Sequence, residues 1–129
     1  MPRENCRLED YLRRIHCLSQ CKNVHAADLA RDLNVSRATV CVFLKQLQEE
    51  GYVHVGAHHI ITLTPRGLEI ARTICTRLDT VRVLLEGLGV PGEIALQDAV
   101  EIERDLSPQS YDAFHRFAQI HREKTCDLP

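Results

Sequence analysis

The sequence predicts a mainly α-helical protein: an N-terminal winged helix-turn-helix with a two-stranded wing, followed by a helical dimerisation domain. Three observations carry this reading. A short amphipathic segment over 26–33 is broken by Asn34-Val35-Ser36 and followed at once by a second helical pattern from Arg37. That pattern stops at Gly51 and gives way to two strand-like runs, 52–55 and 60–64, joined by Gly56-Ala57-His58-His59. Beyond Thr64-Pro65-Arg66-Gly67 the apolar residues return to helical spacing and keep it, with two interruptions, nearly to the end.

The elements follow in order. A first helix over about 7–20 carries Leu8, Tyr11, Leu12, Ile15 and Leu18 as one stripe. The second places Ala27, Ala30 and Leu33 on a common face. Ser36 is a suitable N-cap for the third, whose Val40, Phe43, Leu44 and Leu47 belong to the core. Thr64 caps the fourth and Pro65 occupies its first turn. This helix reaches about Gly87 and is apolar on more than one face, which places it at a junction. Gly87-Leu88-Gly89-Val90-Pro91-Gly92 breaks the chain before a helix over 93–105. Ser107 caps the last, with Pro108 entering it and Tyr111, Phe114, Phe117 and Ala118 turned inward to about His121; the segment 122–129 is expected to fray.

Bulk properties narrow the class. At 129 residues the chain holds one ordinary domain or a small head with a helical tail, divided here as 1–72 and 73–129. Hydrophobic content of 44% and charged content of 26% are those of a soluble globular protein, and no apolar run approaches a membrane span. The polar start shows no signal peptide, so a cytoplasmic location is expected. The net charge of −2 hides an asymmetry, +2 over 1–72 and −4 over 73–129. A mildly basic head suits DNA better as one of a pair than alone. Six cysteines occur without a CxxC, and Cys17 and Cys21 have no second pair at zinc-finger spacing. They are expected to be small buried hydrophobes of a reducing compartment, with thiol redox sensing as the alternative.

A winged helix-turn-helix presents the start of its second helix to a major groove, with the first helix and the wing on the backbone. Ser36 and Thr39 are then placed for phosphates or base edges, and Arg37 for guanine, whose two acceptors its fork matches. A plain phosphate contact is the other reading of Arg37. Lys45 lies further along the backbone side, and His58 and His59, with His54, approach phosphates from the wing. Cys41 stands where a thiol could face DNA. A sequence-specific regulator, most simply a repressor, leads; a winged-helix module that binds protein is the second reading. An enzyme is not expected, since no Gly-rich phosphate loop and no nucleophile-base pair can be argued from spacing.

With the downstream helices placed, the whole chain resembles the metal-dependent repressors of the diphtheria toxin repressor and manganese transport regulator family. The resemblance rests on Glu9-Asp10-Tyr11-Leu12, Ala27-Asp28-Leu29-Ala30, Val35-Ser36 with Thr39-Val40, and the run from Leu47 through Gly51 to Val53. Ile61-Thr62-Leu63-Thr64 with Gly67, Leu84-Leu85 before Leu88-Gly89-Val90, and Asp98-Ala99 with Ile102-Glu103 and Leu106-Ser107 complete it. It covers residues 7 to about 120 and looks like the short, manganese-type form. It implies a homodimer formed through the helices after the wing, bound to a roughly palindromic operator on duplex DNA.

The resemblance also implies a Mn(II) or Fe(II) site between the first helix and the dimerisation helices, and the ligand positions can be compared one by one. Asp10 matches the first Asp, but Arg13 stands where a Glu is expected. Leu78 replaces a His, Val100 a Glu or Cys, and Arg104 a His, while Glu103 is retained. Two carboxylates with two guanidiniums beside them are a poor site for a divalent ion. The expectation is therefore no cofactor, with Mn(II) or Fe(II) as the alternative, and operator binding that is metal-independent or answers another signal. Salt bridges of Asp10 and Glu103 with Arg13 and Arg104 are one outcome of these changes, solvated arginines the other. Relocated ligands, drawn from Glu101, Asp105, Asp79, Cys75, His16 and Cys17, are a third.

Overall fold

The computed structural model describes residues 8–126, and side chains as far as His121. Among these residues the order is α1 (Leu8–Ser19), α2 (Ala26–Leu33), α3 (Arg37–Glu49), β1 (Val53–Val55), a 3-10 turn (Ala57–His59), β2 (Ile61–Leu63), α4 (Pro65–Gly87), α5 (Gly92–Asp105) and α6 (Pro108–Cys126). Two compact units meet between Ile74 and Cys75, so α4 belongs to both. Among the described residues no helix is long and apolar enough to cross a membrane.

The first unit folds around Tyr11, Leu12 and Ile15 of α1, Leu29 and Leu33 of α2, and Val40, Leu44 and Leu47 of α3. Each fully buried aliphatic side chain here is worth about 1.5–3 kcal/mol against exposure. Phe43 is half-buried and packs on Tyr11, ring centroids 4.9 Å apart. The turn between α2 and α3 works because Asn34 adopts the left-handed conformation (φ 56°), which lets the Val35 N–H donate to the Ala30 carbonyl at 3.0 Å. The Ser36 hydroxyl then accepts the Thr39 N–H at 3.0 Å and starts α3.

The wing is a minimal hairpin in which Val53 faces Leu63, His54 faces Thr62 and Val55 faces Ile61. Its strands are three residues each, shorter than the sequence suggests. A further bridge, from the Ile61 N–H to the Val24 carbonyl at 2.8 Å, ties the segment before α2 to β2. At the far end the Thr64 hydroxyl accepts the Gly67 N–H at 3.2 Å and caps α4. Gly67 is required there, since a Cβ would lie 2.0 Å from the Tyr52 carbonyl oxygen. Arg66 adds a brace, donating to the Glu50 carbonyl at 3.0 Å while its guanidinium stacks 4.6 Å from the Tyr52 ring centroid.

In the second unit Ser107 caps α6, its hydroxyl accepting the Ser110 N–H at 3.2 Å. The packed face of α6 runs through Tyr111, His115 and Ala118. Thr80, buried on α4, donates to the Thr76 carbonyl at 3.1 Å and lies 3.5 Å from both the Tyr111 hydroxyl and His115 Nδ1. With that face inward, Phe114 and Phe117 turn off it and are 38% and 63% exposed, contrary to the inward placement expected of them. The helix also runs to Cys126, beyond the end expected near His121, so 122–126 is helical rather than frayed.

The cysteines depart from expectation too. Cys17, Cys21 and Cys41 are exposed and Cys75 is half-buried. Cys17 falls opposite the stripe that buries Tyr11, Leu12 and Ile15, so the helix turns it to solvent. Cys6 lies outside the described residues.

Candidate nucleic-acid interface and inherited ligand positions

Arg37, Cys41 and Lys45 recur every four residues on α3, and all three are exposed on one face of it. The wing returns beside that face. His58 and His59 sit at its tip in consecutive left-handed conformations, φ 57° and 58°, which His tolerates better than branched residues do. With His25 they enclose a cleft of about 480 Å³ whose apolar wall includes Leu44, Val55 and Ile61. Two fixed cations and three imidazoles line it, and no described carboxylate does.

Four of the six side chains expected to contact DNA, Arg37, Lys45, His58 and His59, therefore converge on one cleft. Ser36 and Thr39 do not line it; they form the cap of α3, their hydroxyl oxygens 2.8 Å apart. His54 is exposed on β1 outside the cleft. His25 is an addition to the expected set. It has no local sequence signal, because the Val24–Ile61 bridge is what brings it to the wing.

The positions compared above with the family's ligands divide between the units. In the first, Asp10 and Arg13 are both buried on α1, 8% and 7% exposed. In the second, Leu78 and Val100 are buried, 6% and 8% exposed. Glu103 is held by a residue that sequence reasoning passed over: Arg77 Nε lies 3.2 Å from Glu103 Oε1, and its guanidinium stacks 4.7 Å from the Tyr111 ring centroid. Arg104 Nη1 lies 3.8 Å from Glu101 Oε2, one turn back on α5. Asp79 pairs with Arg82, and its hydrogen bond pushes the Arg82 guanidinium above its ordinary pKa. Among the described residues no three His, Cys, Asp or Glu side chains gather as a metal cage.

Comparison with known proteins places this geometry. Residues 6–59 match the family described as iron dependent repressor, N-terminal DNA binding domain. The transcriptional regulator MntR of Salmonella typhimurium is 34% identical over 115 residues, 88% of this chain and 73% of the relative. An uncharacterized HTH-type transcriptional regulator of Methanocaldococcus jannaschii is 31% identical over 120 residues, 91% and 96% of the two chains. The chain belongs to the metal-dependent repressors of the diphtheria toxin repressor and manganese transport regulator family. These are DNA-binding transcriptional regulators rather than enzymes. A solved manganese-dependent transcriptional repressor in complex with manganese shares the fold, with a TM-score of 0.79 at 23% identity over 88% of this chain. The chain spans about half of that protein, 53% of its length.

Membership corrects one expectation. The sequence suggested that no cofactor is used, on the strength of four replaced ligand positions. The family is one of iron- and manganese-dependent repressors, and the solved relative is manganese-dependent and holds manganese. Metal dependence is thus the family's rule, and replaced ligands in one chain do not license its absence.

Proposed function

We propose that this chain is a cytoplasmic, homodimeric repressor that binds a palindromic operator, with residues 1–72 as the DNA-binding domain and 73–129 as the dimerisation domain. The observation that carries the reading is the cationic cleft between the exposed face of α3 and the wing, lined by Arg37, Lys45, His25, His58 and His59. In this reading Arg37 reads base edges, Ser36 and Thr39 hold the helix start against the backbone, and Lys45 and the wing histidines take phosphates. Dimerisation is supported by the exposed apolar side chains of the second unit, Leu88, Phe114, Phe117 and Ile120. The ligand set differs from the family's at Arg13, Leu78, Val100 and Arg104, which leaves Asp10 and Glu103 as remnants of it. Operator binding accordingly responds to Mn(II) or Fe(II) less steeply than in relatives with the full set.

The test is a mobility shift and footprint on the DNA upstream of the protein's own gene. A protected, roughly symmetric site is expected, with a modest gain in affinity on adding Mn(II). Binding no tighter than to random duplex would sink the operator reading. A gain of several hundredfold with Mn(II) would show that a full-strength metal site exists, against the altered ligand set.

A further inference from the structure

We infer that Val42, with Ala38 one turn before it, recognises the C5-methyl group of thymine in the operator's major groove. The inference rests on the DNA reading above and adds a determinant of sequence preference to the same helix. Among the described residues of the first unit, Val42 is the one large apolar side chain left exposed, at 67%. A single exposed valine elsewhere on a surface would need no explanation. Its position on α3 supplies one.

Val40, Leu44 and Leu47 turn to the core, and at helical pitch Ala38, Val42 and Lys45 fall on the side opposite them, all three exposed. Arg37, Cys41 and Gln48 lie between these two faces, on the flank that meets the wing. The line of α3 that points away from the core is therefore apolar over the first two turns. Those are the turns that reach base edges when the second helix of such a motif enters a groove. Glu49 closes the line at the far end, where its charge is unfavourable beside a phosphate. A valine side chain neither donates nor accepts a hydrogen bond. Against adenine, guanine or cytosine it would cover polar groups of the major-groove edge without replacing their water, whereas thymine presents a methyl group there. The cations of the cleft hold the backbone whatever the sequence, and Val42 and Ala38 add a contact that depends on the base.

The experiment selects a duplex from a randomised library with the full chain and Mn(II) present. Each thymine of the selected site is then replaced in turn by uracil, which removes the methyl group and keeps every hydrogen-bonding group. At the thymine that faces Val42 the replacement is expected to weaken binding about fourfold, the effect of one buried methyl. Val42→Ala tests the cause. Alanine favours a helix and the side chain removed is exposed, so the fold is kept, and the ratio between the thymine and uracil duplexes should close to near unity. Lys45→Ala should weaken binding to both duplexes and leave the ratio at about fourfold. No thymine whose methyl affects binding, a ratio undiminished in Val42→Ala, or one that closes equally in Lys45→Ala overturns the inference and leaves the operator reading standing. Failure to select any duplex overturns both.

Discussion

Arg77 on α4 and Glu103 on α5 form an ion pair, Nε to Oε1 at 3.2 Å. The N–H is not aligned on the oxygen, so the contact is one of charge rather than a directed hydrogen bond. Tyr111 covers the guanidinium from α6. One arginine therefore joins three helices of the second unit.

Arg77→Ala is expected to destabilise the protein by about 1–3 kcal/mol, because it takes a cation from the Glu103 carboxylate and strips the Tyr111 face. The value falls below that of a fully buried pair, since the Arg77 side chain is 29% exposed and that of Glu103 14%. Urea denaturation measures it. Arg77→Ala with Glu103→Gln should recover part of the loss, and a double variant no better than the single would remove the charge argument.

Asp28 supplies a dependence on pH. Its hydrogen bond with the Lys22 ammonium, and after it the His25 N–H at 2.9 Å, hold the carboxyl below its ordinary range, against the opposing effect of burial. A carboxylate with a lower pKa folded than unfolded stabilises the fold fully above its unfolded value, and that contribution is lost as pH falls through the folded value. Asp28→Asn should cost about 1 kcal/mol at neutral pH, and the difference from the parent should shrink in acid below the ordinary carboxylate range. A gap in urea midpoint that stays constant into that range would contradict the assignment.

Local signals carried the fold. Ser36, Thr64 and Ser107 each cap the helix that the sequence gives them, because capping depends on residues three apart. The double-faced apolar pattern of α4 reflects its place in two units, with Ala71 in the first core and Leu78 and Val81 buried beyond the boundary. What stayed hidden depends on long-range pairing. Arg77 meets Glu103 and Tyr111 from distant points in the chain, and His25 reaches the wing only through the Val24–Ile61 bridge. The exposure of Cys17 was legible and overlooked, since it sits opposite the stripe of α1. Arg37, Cys41 and Lys45 at fourfold spacing show the converse, a shared face readable from sequence that the structure then turns toward the wing.

The two permanent cations of the cleft are expected to differ when removed. Arg37→Ala should cost about 1–3 kcal/mol of operator binding and relax the preference at one base position, while Lys45→Ala weakens specific and random duplex alike and lowers the salt slope by about 1. Titrations against both duplexes at several salt concentrations separate these outcomes. Equal losses on both duplexes for Arg37→Ala would reduce it to a phosphate contact.

The second unit leaves apolar area uncovered in a single chain: Leu88 is 82% exposed, Phe117 63% and Ile120 54%, and Phe114 and Phe117 border an apolar groove of about 580 Å³ with Leu84 and Leu85. A second copy is the occupant that the proposed palindromic operator requires, because two heads are held at a fixed spacing only if their second units join. Phe117→Asp puts a charge into that seam without touching the core, so helicity by circular dichroism should be unchanged. The mass in solution should fall from dimer to monomer at the same concentration. Operator affinity should fall with it by about a hundredfold, since the second head then binds as a separate molecule. A variant that stays dimeric would move the seam to another face of the helices, and one that turns monomeric yet binds the operator undiminished would show that a single head suffices.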